Sequence, residues 1–327
     1  MLSFEQVLQI VETAIGQIHF DASPRSLFDP IKYTLSLGGK RIRPACMLMA
    51  CNLYSEKIDE ALKPALGMEV FHNFTLLHDD LMDGAGRRRN RPTVHKKWNP
   101  NTAILSGDAM LIVAYQLIGE TSAPFLRDVL ALFTQTALEI CKGQQYDMEF
   151  EARQDVTEEE YIEMIRLKTA VLLACCLKAG ALIGGASKDD ADHLYRFGIH
   201  TGLAFQLQDD LLDVYGDSQT FGKNIGGDIL CNKKTFLLIH AMKRASDKQN
   251  AIIRQYREVT EGNAFTPEEK IAAITSVYDE LKIKEIILAK ILQYYHLAMH
   301  DLTLLRIQPE RLTTLREVSR LLMVRES

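Results

Sequence analysis

The sequence predicts an all-α protein that folds as a single domain over residues 1–327. Apolar residues recur at three- and four-residue intervals along most of the chain, as on the buried face of an amphipathic helix. No alternation of apolar and polar residues, bounded by hairpin turns, predicts strands. Leu, Ala, Glu and Lys, which favour helices, are abundant. Because no long Ser-, Gly- or Pro-rich linker divides the chain, we expect one bundle of about ten or more helices.

The individual helices follow from this periodicity and from capping residues. Thr157, with Glu160 three positions later, has the pattern of a capping box, and Thr266 precedes Pro267 at the first helical position. Turn-rich breaks are expected at 36–44, 84–101, 184–189 and 216–232. The apolar recurrence predicts helices over 4–18, 44–54, 60–82, 103–119, 126–149, 158–183, 190–215, 233–245, 267–300 and 310–323.

Composition favours a cytoplasmic protein without a disulfide framework. With 47% apolar residues, 25% charged residues and a net charge of −5, the chain has no global attraction for nucleic acid, so any anion site must be local. Six cysteines form no CxxC pair, which favours reduced thiols over disulfides or a zinc site. The first helix lacks the basic start of a signal peptide, and the apolar run 170–186, interrupted by Lys178, is too short to predict a membrane span.

Two aspartate clusters share the pattern DDxxD: HDDLMD at 78–83 and QDDLLD at 208–213. On a helix, the first and last aspartates of each cluster lie on one face, where like charges are destabilising. Each cluster also closes an apolar helical segment, at the end where the helix dipole disfavours anions. A hard divalent cation explains this placement, because Mg²⁺ prefers carboxylate oxygens and is often shared with substrate phosphate.

The alternative interpretation is that each cluster is a solvated acidic helix end. One DDxxD would leave that alternative open, since short motifs match by chance. Two copies, both after apolar helical segments and both followed by basic loops, favour the metal site.

Basic residues complete a diphosphate site in this hypothesis. Gly38-Gly39-Lys40-Arg41-Ile42-Arg43-Pro44 is a basic, glycine-containing turn before a helix, where backbone N–H groups can approach an anion. Arg88 and Arg89 can grip phosphate oxygens in a bidentate manner. Lys168 lies in an apolar helix, and Lys223 and Lys233 lie in or beside the second basic loop. Each of these cations, taken alone, could equally be a solvated surface charge.

The motifs and their order resemble those of the trans-isoprenyl diphosphate synthases, the polyprenyl synthetase family. The resemblance covers roughly 36–235 and rests on GGKRIRP, H-x6-DDLMD, RRxRPT, GQQYD, KTA, FQLQDDLLD, GK and GGDILCNKK. It implies an all-helical fold around a central cavity, a homodimer, and Mg²⁺-dependent head-to-tail condensation of isopentenyl diphosphate with an allylic diphosphate.

The resemblance also implies roles for individual residues. Three Mg²⁺ ions are implied at Asp79, Asp80, Asp83, Asp209, Asp210 and Asp213, with Asp79, Asp83 and Asp209 as direct ligands. The isopentenyl diphosphate site is implied at Lys40, Arg43, His72 and Arg89. The allylic diphosphate and its departing pyrophosphate are implied to meet Arg88, Lys168, Thr169, Gln206, Lys223 and Lys233, of which Lys168, Thr169 and Gln206 are the catalytic candidates. Positions near the metals are Gln144, Asp147 and, through water, Asp228.

Several positions keep a second interpretation. His72 lies two turns before Asp79 on about the same face, which favours phosphate contact over a structural role, whereas His78 is expected to be structural. Phe205 either packs against isopentenyl diphosphate or belongs to the core. Asn90 follows the arginine pair where the family usually has Gly, and Arg87 precedes the pair, which leaves open which two arginines bind.

Product length is predicted from the residues before Asp79. Phe74, Thr75 and Phe71 stand five, four and eight positions earlier and would line a tunnel for the growing tail. An aromatic residue five positions before Asp79 followed by a small residue, as in Phe74-Thr75, resembles the pattern of geranylgeranyl diphosphate synthases. The alternative is a farnesyl diphosphate synthase, one type of which has aromatic residues at both positions.

Two other classes of protein remain as alternatives. A class I terpene cyclase shares DDxxD and Mg²⁺, but its second metal motif mixes Asn or Asp, Ser or Thr, and Glu, unlike QDDLLD. A non-catalytic helical subunit of a heteromeric synthase commonly lacks some of the aspartates, all six of which are present here.

Overall fold

The computed structural model describes residues 1–216, 225–257 and 265–323, and these residues are almost entirely helical. A two-stranded antiparallel ribbon, β1 and β2, pairs Arg87–Arg88 with Arg91–Pro92. A single turn of π-helix (the π-turn) spans Arg166–Ala170, and a single turn of 3-10 helix spans Pro309–Leu312. The helices are α1 Phe4–Gly16, α2 Arg25–Ser36, α3 Ile42–Tyr54, α4 Asp59–Met82, α5 Val94–Lys97, α6 Pro100–Gly119, α7 Ala123–Ala152, α8 Glu158–Ile165, α9 Val171–Ile183, α10 Lys188–Tyr215, α11 Gly227–Leu230, α12 Phe236–Arg244, α13 Asp247–Arg257, α14 Pro267–Glu280, α15 Ile283–Thr303 and α16 Thr313–Met323. The predicted all-α fold class is confirmed.

Most of the predicted helices are present, with differences at particular residues. The predicted capping box forms at Thr157, and Thr266, with Pro267 at the first helical position as predicted, also forms one with Glu269. The single helix predicted over 267–300 is wrong, because the chain turns at Lys282, whose φ is 53°, between α14 and α15. The helix predicted over 158–183 changes hydrogen-bond register at the π-turn. The periodicity did not predict α2 or α13, nor the four-residue helices α5 and α11, which lie in the breaks expected at 84–101 and 216–232.

The described chain divides into two compact units, of which the first comprises Met1–Gln135, Leu172–Tyr195 and Leu304–Arg316. Helix α3 is buried from Pro44 to Leu53. Helix α9 packs directly on its backbone, since a Cβ on Gly180 would lie 2.0 Å from the Met47 carbonyl oxygen. Helices α4 and α6 approach closely in the same way, with Gly67 against Ile118. Small residues at these contacts bring α4, which ends in the first aspartate cluster, firmly into the unit.

The second unit comprises Thr136–Val171, Arg196–Thr303 and Glu317–Ser327. Its core is formed by apolar side chains of α8, α10, α12, α14 and α15, including the buried Leu207, Phe236 and Ile287. This core fixes α10, which carries the second aspartate cluster, against α8 and the π-turn.

Helix α6 keeps an exposed apolar surface. Among the described residues it is the helix that is long and apolar enough to cross a membrane by length and composition, a test that core helices also pass. Its side chains Ile104, Leu105 and Ile112 are 44%, 60% and 61% exposed. An exposed apolar patch of this kind is typical of a contact surface.

Candidate functional site

The first aspartate cluster ends α4 and presents its members to different surroundings. Asp79 is half-buried and Asp83 is exposed, while Asp80 is only 6% exposed. Successive residues of a helix are turned by about 100°, so the middle aspartate points away from the face that the other two share. The cluster therefore has an accessible pair of carboxylates and one carboxylate directed into the protein.

Asp80 holds Arg88 through a bidentate ion pair. Arg88 Nε donates to Oδ2 and Nη2 lies beside Oδ1, both at 2.8 Å. Burial raises the pKa of Asp80, and the hydrogen bond from Arg88 opposes this rise. A buried carboxylate needs such a partner, because an unpaired charge in the protein interior is costly. Asp80 thereby determines where the Arg88 guanidinium lies.

The ribbon formed by β1 and β2 is a two-residue hairpin that presents the arginines. Arg89 and Asn90 at its tip have φ values of 50° and 61°, the signature of a type I′ turn. Asn tolerates this left-handed conformation better than most residues, which explains why it can stand where the family usually has Gly. The Thr93 hydroxyl closes the base of the hairpin by donating to the Ala85 carbonyl at 2.7 Å. Arg88 contacts Asp80 and Arg89 contacts Gly38, which favours these two as the predicted pair, although Arg87 and Arg89 are both exposed.

Arg89 reaches the glycine turn before α3. Its guanidinium donates to the Gly38 carbonyl and occupies the space of a Cβ on Gly39, which would lie 2.8 Å from Nη2. Gly38 and Gly39 have φ values of 79° and 144°, which favour glycine. Lys40 follows this turn and is exposed.

Arg41, for which the sequence predicted no separate role, anchors the glycine turn. Its guanidinium is buried and pairs with Glu69 at 2.7 Å and with Glu12 at 3.0 Å. Asn73 donates to the same Glu69 carboxylate at 2.9 Å. The run KRIR therefore contains a structural arginine between two residues predicted to bind substrate.

His72 and Arg43 contact each other, as their common assignment predicts. Arg43 Nη1 lies 3.1 Å from His72 Nε2, and because a guanidinium can only donate, the imidazole accepts. Burial, and then the nearby Arg43, Arg89 and Arg88, hold the pKa of His72 well below its usual value. His72 is thus a neutral group that orients Arg43. A pocket of the first unit is lined by Asp80, Arg88 and Arg89 among others.

Aromatic side chains back the residues predicted to control product length. The Phe74 ring is half-buried and lies 5.5 Å from that of Phe71 and 4.8 Å from that of His78, measured between centroids. Phe71 is 1% exposed and contacts Phe133 at 5.0 Å. A Cβ on Gly107 would lie 2.2 Å from His78 Nε2, so the imidazole packs on that glycine. His78 is therefore structural here, as expected, and it supports Phe74.

The second aspartate cluster ends α10 and buries both its middle and its last member. Asp209 is half-buried, whereas Asp210 and Asp213 are 3% and 8% exposed. Asp213 accepts the Asp228 N–H at 2.9 Å through Oδ2, and its carbonyl accepts the Gly226 N–H at 2.6 Å. Asp213 thereby fixes the loop before α11. Lys233 Nζ lies 4.0 Å from Asp228 Oδ1, and Lys223 lies outside the described residues.

The π-turn places Lys168 and Thr169. Its wider winding, with the Val171 N–H bonded to the Arg166 carbonyl, shifts the backbone ladder by one residue. Such turns are frequent at functional sites. Lys168 Nζ pairs with Asp147 Oδ2 of α7 at 2.6 Å, so these two predicted residues do meet. Gln144 is half-buried on the same helix.

Two glycines allow helices to reach the π-turn. A Cβ on Gly143 of α7 would lie 2.4 Å from the Lys168 nitrogen, and one on Gly202 of α10 would lie 2.6 Å from Ala170 Cα. Neither glycine was among the predicted site residues. The first lies within the motif GQQYD, which was a usable signal, whereas the second has no signal in the sequence.

A partly buried chain of hydrogen bonds connects the π-turn to the second cluster. The Thr169 hydroxyl donates to Gln206 Oε1 at 3.0 Å, and Gln206 Nε2 donates to Asp210 Oδ1 at 3.1 Å. The Tyr161 hydroxyl of α8 donates to Asp210 Oδ2. Burial raises the pKa of Asp210 well above its usual value, and the charge of Asp228 adds to this effect. Phe205, beside Gln206, is half-buried.

Comparison with known proteins agrees with the family resemblance seen in the sequence. A family model described as polyprenyl synthetase matches residues 24–277. The geranylgeranyl diphosphate synthase of Methanosarcina mazei is 38% identical over 236 residues, 72% of this chain and 73% of that protein. The geranylfarnesyl diphosphate synthase of Natronomonas pharaonis is 37% identical over 263 residues, 75% of this chain and 77% of that protein. A crystal structure of a geranylgeranyl pyrophosphate synthase matches with a TM-score of 0.94 and 40% identity over 100% of both chains.

Replacing Arg88 by Ala should destabilise the protein through Asp80. The buried carboxylate would lose its bidentate partner, so we expect the free energy of unfolding to fall by about 1–3 kcal/mol. The exposed Arg91 is the matched control, and Arg91→Ala should change the free energy of unfolding by no more than about 0.5 kcal/mol. Urea denaturation measures both. Equal effects of the two variants would contradict the importance of the ion pair.

Proposed function

The chain belongs to the polyprenyl synthetase family, and we propose that it condenses isopentenyl diphosphate head to tail with allylic diphosphates in the presence of Mg²⁺. The observation that carries this proposal is that each aspartate-rich helix end leaves a carboxylate accessible and shares its compact unit with cations: Arg88 and Arg89 in the unit of the first cluster, and Lys168 in the unit of the second. The expected product is a medium-chain all-trans prenyl diphosphate, namely geranylgeranyl diphosphate.

The donors of both clusters fit Mg²⁺ that is delivered with diphosphate. They are hard carboxylate oxygens, which this ion prefers. Among the described residues, no group of three or more His, Cys, Asp or Glu side chains could hold a metal ion together. One or two carboxylates would therefore hold each ion, with phosphate oxygens and water completing the shell, as is usual for Mg²⁺. We assign direct contact to Asp79, Asp83 and Asp209, and three ions are the expected number.

The charged residues would stabilise the departing pyrophosphate. Mg²⁺, when bound, would neutralise negative charge as the allylic C–O bond breaks. Lys168 is directed by its ion pair with Asp147, and Arg88 by its ion pair with Asp80, so both cations are fixed before substrate arrives. Preorganised charge of this kind stabilises a transition state without reorganisation. Lys233, and Lys223 beyond the described residues, complete the proposed set.

Dipoles near the π-turn would stabilise the allylic cation. The Gln206 carbonyl oxygen, the Thr169 hydroxyl oxygen and the Lys168 backbone carbonyl are polar groups that do not attack carbon readily. A π-turn frees one backbone carbonyl from its α-helical partner because the ladder shifts by one residue. Isopentenyl diphosphate, held by Lys40, Arg43 and Arg89, supplies the electron pair of its double bond to the new C–C bond. The released pyrophosphate accepts the proton that is then lost.

Product analysis with each short allylic primer tests this function. The purified chain with labelled isopentenyl diphosphate and Mg²⁺ should form a labelled prenyl diphosphate, and Asp79→Asn and Asp209→Asn should each lower turnover by about 10²-fold or more. Asp128, exposed on α7, is the control, and Asp128→Asn should leave turnover unchanged. A product without the label would indicate a terpene cyclase. An inactive purified chain would favour a non-catalytic subunit.

The proposed product length rests on Phe74. Its ring is partly accessible on α4 one turn before Asp79, and Thr75 beside it is small, with its hydroxyl bonded to the His72 carbonyl at 2.8 Å. A geranylgeranyl and a geranylfarnesyl diphosphate synthase are identical to this chain to nearly the same extent, so sequence similarity alone does not decide the length of the product. We therefore propose Phe74 as the group that stops the growing tail.

Phe74→Ala should lengthen the product by about one isoprene unit, because it removes a ring from the end of the proposed tunnel. Thr75→Phe should shorten it to farnesyl diphosphate, since a second ring would stand in the tail's path. Mass analysis of dephosphorylated products measures both changes. Leu288→Ala, on the exposed surface of α15, is the control and should not alter the product. An unchanged product from Phe74→Ala would reject Phe74 as the stop.

We also propose that the exposed apolar face of α6 is covered by a second copy of the chain. A cytoplasmic enzyme would otherwise leave Leu105 and Ile112 largely in water. A helix this apolar packs well on its own copy, in which each patch meets the same patch.

Analytical ultracentrifugation tests the homodimer. The wild-type chain should sediment as a dimer, and Leu105→Glu with Ile112→Glu should give monomers, because buried unpaired carboxylates are costly. Leu292 on α15 is 53% exposed, and Leu292→Glu is the control that should keep the dimer. A monomeric wild-type chain that binds neutral phospholipid vesicles through α6 would overturn this proposal.

A further inference from the structure

We propose that Tyr161 is a positioning residue of the condensation, acting through Asp210 on the Gln206 amide and the Thr169 hydroxyl. This role rests on the proposed function and deepens it, because the two groups at the end of the chain are those assigned to the allylic cation. Tyr161 lies on α8, outside every motif of the family resemblance, and its side chain is 3% exposed. It has no path to substrate except through the residues it contacts.

Both carboxylate oxygens of Asp210 are engaged by separate donors. The Tyr161 hydroxyl donates to Oδ2, and Gln206 Nε2 donates to Oδ1 at 3.1 Å. A carboxylate buried to this degree needs hydrogen bonds, since its desolvation is otherwise uncompensated. With two donors the carboxylate has one stable orientation, and without Tyr161 it could rotate about its side-chain bonds.

The orientation of Asp210 determines that of Gln206. A primary amide donates at one end and accepts at the other. Because Nε2 donates to Asp210, Oε1 must lie on the opposite side, where it accepts the Thr169 hydroxyl at 3.0 Å. A reversed amide would place its oxygen against the carboxylate oxygen and lose both hydrogen bonds. The dipole assigned to the cation is therefore set by Asp210, and Asp210 is set by Tyr161.

Tyr161 is also one of three contacts that hold α8 and the π-turn against α10. Helix α8 runs directly into the π-turn, so Tyr161 and Thr169 lie on one continuous helical run. That run is tied to α10 at Asp210 by Tyr161, at Gln206 by Thr169, and by the close packing of Ala170 on Gly202. Removing the tyrosine hydroxyl breaks one of these three contacts and leaves the packing of the aromatic ring of residue 161 unchanged.

Tyr161→Phe is the test. We expect turnover to fall about tenfold, the loss of roughly one well-placed interaction in the transition state. The KM values for both substrates and the affinity for Mg²⁺ with inorganic pyrophosphate, measured by calorimetry, should stay within about twofold, because Tyr161 contacts neither. Tyr215→Phe is the matched control: it removes a tyrosine–aspartate hydrogen bond of the same unit, to Asp279 at 2.8 Å, and should leave turnover unchanged.

A double-mutant cycle separates positioning from general stability. Gln206→Leu has no amide to orient, so adding Tyr161→Phe should lower its turnover by less than about twofold. Full tenfold losses in both backgrounds would overturn the role, as would an unchanged turnover of Tyr161→Phe or a loss expressed only in KM. A wild-type chain that transfers no prenyl group would overturn the proposed function, whereas an active wild type with an equally active Tyr161→Phe overturns the positioning role alone.

Discussion

A carboxylate that leaves water must be paired or hydrogen-bonded, and each aspartate-rich helix end of this protein buries at least one: Asp80 in the first cluster, and Asp210 and Asp213 in the second. The helical period explains the burial of Asp80 and Asp210, because DDxxD turns its middle aspartate away from the face that the first and last share. Asp80 and Asp210 are 6% and 3% exposed. Their partners, Arg88 in one case and Tyr161 with Gln206 in the other, are therefore required by the burial itself.

The same requirement gives a use to the aspartates that are buried and so lie off the accessible face. The middle carboxylate orients a group that the proposed chemistry uses: the Arg88 guanidinium in the first unit and the Gln206 amide in the second. Asp213 is a third aspartate that positions a neighbouring segment, since its oxygens accept hydrogen bonds from the loop that leads to Lys233. In the proposed function, metal binding and the placement of neighbouring groups are thus divided among the members of one motif.

The sequence predicted what depends on local spacing. The pairing of Asp79 with Asp83 on one face, the caps at Thr157 and Thr266, and the all-α class follow from period and propensity. It could not predict the π-turn at Lys168, because the glycines that allow it, Gly143 and Gly202, acquire that role only when distant helices approach. Tyr161 likewise has the pattern of an ordinary core aromatic, and nothing local distinguishes its buried hydroxyl. The turn at Lys282 was missed because apolar periodicity continues through it.

Product length, in the proposed function, would depend on a stack of side chains more than on one ring. Phe74 is supported by Phe71 on one side and His78 on the other. Phe71 is buried against Phe133, and His78 packs on Gly107, where no larger residue could stand without displacing the imidazole. Cores of this density transmit volume changes to their neighbours. Space opened at Phe74 would therefore be limited by Phe71, and a still longer product requires the second ring to move as well.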